Sequence, residues 1–205
     1  MALNTFSTIK SAVSDWLDRD DIATVVDQFI TLTETRLYSV LRVRQMETAL
    51  SLTISSGTVT LPADFLEFKH AYVDGTPTQS LEFKGVDWIY KNYPTRSSGS
   101  KPVYAAVDAG TVLFGPYPDS NYVIKGTYYA KPAALVVTTN ETNFLTTSYP
   151  DILLYGALVQ SSYYLGQDER LIGWQAGYDE ALNRLMSADK KERFPTTTAL
   201  RTAAA

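Results

Sequence analysis

The chain has 205 residues, 18 basic and 22 acidic side chains for a formal charge of −4, and no cysteine. That length suits one large domain or a core with a subdomain, able to bury roughly 70% of the unfolded surface. Missing thiols exclude disulfides, thiolate metal sites and thiol catalysis, and the mild acidity argues against a surface built to grip phosphates.

Absence of cysteine also favours synthesis in a reducing cytosol. MALNTFSTIK lacks the basic start and apolar core of a signal peptide, and no apolar run approaches the ~20 residues of a membrane span, so a soluble protein is expected. Fourteen Tyr and three Trp are a heavy aromatic load, suited to a β core or to an interface.

From Thr5, the spacing of Phe6, Ile9, Val13, Trp16 and Leu17 predicts a short amphipathic helix. Asp20 or Asp21 is then expected to cap a longer helix reaching about Arg42, with Ile22, Val25, Val26, Phe29, Leu32, Leu37, Val40 and Leu41 on its apolar side. The acids Asp15, Asp18, Asp20 and Asp21 read as helix-turn caps rather than a cation site.

Near Gln45 the period changes to alternation. Met46, Thr48, Leu50, Leu52 and Ile54, then Ser-Ser-Gly, then Val59 and Leu61 predict a hairpin. Pro62 breaks it, and a strand from about Leu66 to Val73, an Asp74-Gly75 turn and a short strand through Leu81 and Phe83 follow. Val86 to Tyr93 reads as a short helix and Asn92 to Pro102 as an exposed, mobile loop. Three further strands are expected at Val103 to Val107, Thr111 to Phe114 and Tyr122 to Ala130, making an antiparallel sheet with hairpin connections throughout. Ala133 to Thr147 then forms a connecting arm.

The most regular stretch runs from Tyr149 to Asp189. Pro150 opens a helix with Ser148 capping from outside; Leu154, Leu158 and Leu165 make its stripe, and Gly166 ends it. Asp168 offers a cap for a second helix whose Leu171, Trp174, Tyr178, Leu182, Leu185 and Met186 share one face. Gly173 and Gly177 form a small-residue step that favours close helix packing. After Asp189 the composition changes to KKERFPTTTALRTAAA, an extended tail whose anchors are Lys190, Lys191, Arg193, Phe194, Leu200 and Arg201.

These readings combine into an α+β fold: a four-helix bundle built from the chain ends, with an inserted antiparallel β domain. Residues 1–44 supply the N-terminal helices, 45–130 the β domain, 131–190 the arm and C-terminal helices, and 191–205 the tail. Chemistry is sparse. His70 is the single histidine, no GxSxG accompanies it, no GxGxxG or phosphate loop occurs, and the pairs Asp168-Glu169 and Asp179-Glu180 sit where caps or a solvated helix face explain them. No catalytic residue, cofactor or metal is expected.

The segments YPDILLYGAL and YYLGQDERLIGWQAGYDEALNRLMSAD, together with LPADF, GPYPDS and YYAKPAAL, resemble the bacteriophage head-to-tail adaptor family, also called connector or head-completion proteins, of the short-tailed-phage type. The match falls on Pro150, Tyr155, Gly156, Ala157, Leu158, Trp174, Tyr178 and Leu185. It implies a structural virion protein rather than an enzyme: a homo-oligomeric, usually dodecameric ring at the head-tail junction, made in the host cytoplasm. Such a ring joins the portal protein to a tail or nozzle protein and passes DNA through its lumen without specific binding. By position, it gives portal binding to the tail residues Lys191, Arg193, Phe194, Leu200 and Arg201. Two other readings predict different things. A monomeric surface- or carbohydrate-binding tail accessory predicts a groove lined by Tyr and Trp on the β domain, and a carboxylate hydrolase predicts two converging acids.

Overall fold

The computed structural model describes residues 2–19, 21–97, 99–166 and 169–193. The fold is α+β, and the chain divides into a helical unit, Met1–Gln45 with Pro132–Ala205, and a β unit, Met46–Lys131.

In the helical unit, α1 (Phe6–Leu17) is capped by Thr5, which accepts from the Thr8 backbone while Thr8 reaches back to Thr5. Phe6, Ile9, Val13 and Leu17 are buried, whereas Trp16 stands half exposed with its ring edge on Tyr155. The second helix, α2 (Val26–Val40), starts later than expected: residues 21–25 are turns, Asp21 pairs with Arg19, and no side chain caps the helix. Asp20 lies outside the described residues. Leu32 and Val40 depart from the expected stripe and are exposed.

The arm after Pro132 is more structured than its composition suggests. Val136 bridges Asn140, and Asn143 caps a short helix, α4 (Phe144–Ser148), so Ser148 ends that helix instead of capping the next one. The following helix, α5 (Pro150–Leu165), closes at Gly166 in the left-handed region. It is buried nearly all round, through Ile152, Leu153, Leu154, Gly156, Ala157, Leu158, Val159, Ser161 and Ser162, because α1, α2, α4 and the last helix, α6 (Leu171–Arg193), all pack on it. An apolar stripe is therefore the wrong description of α5; a helix enclosed on most sides has no polar face to keep. Helix α6 runs past Asp189 to Arg193, and Met186 lies on its exposed side. The expected cap Asp168 is outside the described residues.

The β unit holds two four-stranded sheets. One has the order β1 (Glu47–Thr53), β8 (Val123–Ala130), β3 (Phe65–Val73), β4 (Gln79–Ser80); the other is β2 (Thr58–Thr60), β7 (Thr111–Gly115), β6 (Tyr104–Asp108), β5 (Glu82–Phe83). The predicted hairpin of residues 46–61 does not form. Its arms join different sheets, β1 on β8 and β2 on β7, and the Ser55–Thr58 bridge closes the turn between them. Nor are hairpins universal, since β5 runs parallel to β6. The unit's core is built from both sheets, with Leu50, Ile54, Val73, Val112, Phe114 and Ile124 among its members.

A short helix, α3 (Val86–Asn92), precedes the expected mobile loop, whose described residues are instead tied down. Arg96 donates to the Phe114 carbonyl at 2.6 Å, Ser100 N–H to Tyr117 O at 3.1 Å, and Lys101 Nζ to Pro77 O at 2.6 Å. Two loop side chains and one loop N–H thus bond to carbonyls elsewhere in the β unit.

Candidate functional site

The C-terminal helix pair contributes its side chains unequally. Leu158, Trp174, Tyr178 and Leu185 are buried and Leu182 is half-buried. Arg170 lies 4.9 Å above the Trp174 ring and Arg36 5.3 Å above that of Tyr178, while burial pushes the Tyr178 hydroxyl upward. Gly173 corrects the small-residue reading: it is exposed, and a Cβ there would meet nothing within 4 Å. Gly177 supports the ring of Tyr155 rather than another helix backbone. The tightest approach is at Gly156 on α5, where a Cβ would fall 2.2 Å from Cγ2 of Thr33 on α2.

At the far end of α6, an acid organises the chain. Asp189 is 8% exposed; it accepts the Arg44 N–H at 2.7 Å and pairs with Arg193 one turn later at 2.6 Å. Arg193 also donates to the Arg42 carbonyl at 3.0 Å, and Arg44 pairs with Glu192. Arg42 in turn donates to the carbonyls of Tyr38 and Leu41, groups that α2 leaves without helical partners. The segment after α2 and the last turn of α6 are thus clamped together. Arg193 belongs to this clamp, Lys191 is exposed, and Phe194, Leu200 and Arg201 lie outside the described residues. The Asp-to-Arg spacing of four was a readable helix pair; the Arg44 N–H, 145 residues away in sequence, was not.

A second polar centre fixes the arm. Glu34 is 4% exposed and accepts from Tyr38 Oη at 3.0 Å, Asn143 Nδ2 at 3.4 Å and Leu135 N–H at 3.4 Å. Burial together with the Glu34 carboxylate drives the Tyr38 hydroxyl far above its ordinary range. Glu141 accepts from Ser7 Oγ at 2.8 Å and Thr138 N–H at 3.0 Å, and donors from Thr138 and Ser7 hold its carboxyl below the ordinary value. Both arrangements are anchoring devices: every contact named is to the protein's own backbone or side chains.

The β unit carries clustered rings. Trp88 meets Tyr93 and Tyr104 edge to face, Lys84 lies over the Trp88 and Tyr104 rings, and Arg96 lies over those of Tyr90 and Tyr117. These faces are covered by the chain's own cations. An open cleft of about 380 Å³ is lined by Phe65, Leu66, Glu67, Phe68, Phe83 and Val107, so its rings are phenylalanines with a single polar neighbour. A sugar groove of Tyr and Trp is not what lines it. His70 is exposed beside Tyr72. Among the described residues, no three His, Asp or Glu side chains come together to hold a metal ion. Asp179 accepts from Gln175, and its neighbour Glu180 is exposed; Asp168 is outside the described residues.

No helix among the described residues is long and apolar enough to cross a membrane. A family model described as SU10 adaptor protein matches residues 4–202. No curated protein matches the chain.

Proposed function

The chain belongs to the SU10 adaptor protein family, and from that premise we propose that it forms a ring, dodecameric in copy number, joining portal to tail at the head-tail junction. The family makes it a bacteriophage adaptor, a structural component of the virion that works with portal and tail proteins. The match over residues 4–202 is the observation that carries the proposal, because it spans both units rather than one motif.

Three features support the finer reading. Helices α1, α2 and α6 each pack on α5, which supports reading the helices of the chain ends as the bundle of a ring wall. Residues 194–205 follow the clamped end of α6 in sequence, and the proposal gives them, with Lys191 and Arg193 at that end, the portal attachment through Phe194, Leu200 and Arg201. A net charge of −4 suits a lumen through which DNA slides, since strong phosphate contacts would hold it back. Weak contacts from each copy sum through multivalency.

Removing residues 194–205 while leaving α6 whole tests the attachment. The shortened protein should keep its helical circular dichroism and lose binding to portal rings; undiminished binding would refute the role of this segment. A monomer that ignores the portal and binds glycans would instead favour the tail-accessory reading.

A further inference from the structure

Beside the Asp189 clamp, the helical unit leaves an apolar floor uncovered. Val40, the last residue of α2, is 70% exposed and Met186 on α6 is 55% exposed. With Val43 and Leu182 they line a groove of about 260 Å³. It continues into a polar extension of about 410 Å³ bordered by Arg42, Lys190 and Arg193.

The charged residues that line the floor and its extension are Arg42, Lys190 and Arg193 against Asp189, a positive balance. Asp189 is buried and already engaged by Arg44 and Arg193, and Glu192 is paired with Arg44. Lys190 and Lys191 are exposed and make no ion pair among the described residues. Basic residues in a last helical turn complement the helix dipole, which accounts for the lysines but not for uncovered Val40 and Met186 beside them. Exposed apolar side chains beside a rim of net positive charge complement an acidic partner that carries an apolar residue.

We propose that this groove docks an acidic segment of a partner protein. An apolar side chain of that segment rests on Val40 and Met186, and its carboxylates meet Lys190, which lines the groove, and its chain neighbour Lys191. The proposal rests on the adaptor reading only for which virion protein supplies the segment. The chain's own FPTTTALRTAAA contains no Asp or Glu and carries Arg201, so its charge does not fit this rim. DNA would satisfy the lysines and leave the apolar floor unused.

The test is fluorescence anisotropy with the full chain and a labelled peptide in which Asp and Glu flank a central Leu-Phe pair. Binding should weaken with added salt, vanish when Lys replaces every acid, and fall about tenfold or more in both Met186→Asp and the Lys190→Glu, Lys191→Glu double variant. These positions are exposed, and circular dichroism verifies that each variant folds. Equal binding by wild type and variants would overturn the proposal. So would absence of binding by the full chain, as when its own last residues fill the groove. Duplex DNA that binds the full chain, suffers from the lysine reversal and ignores Met186→Asp would assign the surface to nucleic acid and also overturn it. Failure of the wild type to stack on portal rings refutes the ring proposal and leaves the peptide result standing.

Discussion

Thr33 and Gly156 set the spacing of α2 against α5, and the side chain that is missing matters as much as any present. A Cβ on Gly156 would intrude to 2.2 Å from a buried, β-branched neighbour with little freedom to move. Gly156→Ala should therefore destabilise by about 1 to 3 kcal/mol. Gly173→Ala meets open space in the first turn of α6 at a backbone conformation any residue adopts, and should stabilise by roughly 0.4 to 1 kcal/mol. Urea unfolding of the two variants checks both signs. In the sequence, Gly173 and Gly177 drew attention because their spacing is a pattern, whereas Gly156 is isolated; only knowledge of which helix crosses at that point separates a packing glycine from an exposed one. Glu34 was hidden in the same way, since a carboxylate in an amphipathic helix reads as solvent-facing until its donors on the arm are known. Replacing Glu34 with Ala leaves the buried donors of Tyr38 and Leu135 without this acceptor, a loss of about 1 to 3 kcal/mol. Glu141 adds a pH term. Its folded-state acidity is strengthened, so its contribution is present above the ordinary glutamate value of 4.5 and is lost as pH falls through the lower folded value. Glu141→Gln should flatten that part of a stability-against-pH curve; an unchanged curve would remove Glu141 from the account.

Helix α6 was legible as an element because it keeps a polar face, and its buried residues Trp174, Tyr178 and Leu185 follow the helical period. Met186 obeys the same spacing yet is exposed, since the period marks a broad face and not the edge of the partner helix. Trp174→Ala should cost about 3 to 5 kcal/mol, while Met186→Ala should change stability by less than about 0.5 kcal/mol; thermal unfolding of the pair distinguishes core from rim. Helix α5 was found through Pro150 and Gly166, its ends, but its near-complete burial was not visible, because Leu154, Leu158 and Leu165 describe a single stripe while Ser161 and Ser162 are buried as well. In the β unit, alternation revealed strands without their partners. Glu47 pairs with Tyr129, and Thr58 with Leu113, so the chain between β1 and β2 changes sheets where a short Ser-Gly turn promised a hairpin. Local turn chemistry supports a reversal; the distant strands β7 and β8 determine where each arm is buried.

For the whole molecule, the helical unit is contributed by both chain ends and the β unit by the residues between them. The family match spans this arrangement and identifies a virion adaptor. The motifs at residues 149–158 and 163–189 made that family readable from sequence, whereas the Asp189 clamp that organises the end of α6 depends on Arg42 and Arg44, which no nearby motif announces. The proposed ring places many copies of one modest contact in register, so attachment depends on avidity more than on any single side chain. Native mass spectrometry of the purified protein mixed with its cognate portal ring tests this claim most directly. The account predicts a single complex carrying a full ring of adaptor subunits on each portal ring; free monomers beside an unaltered portal ring would contradict it.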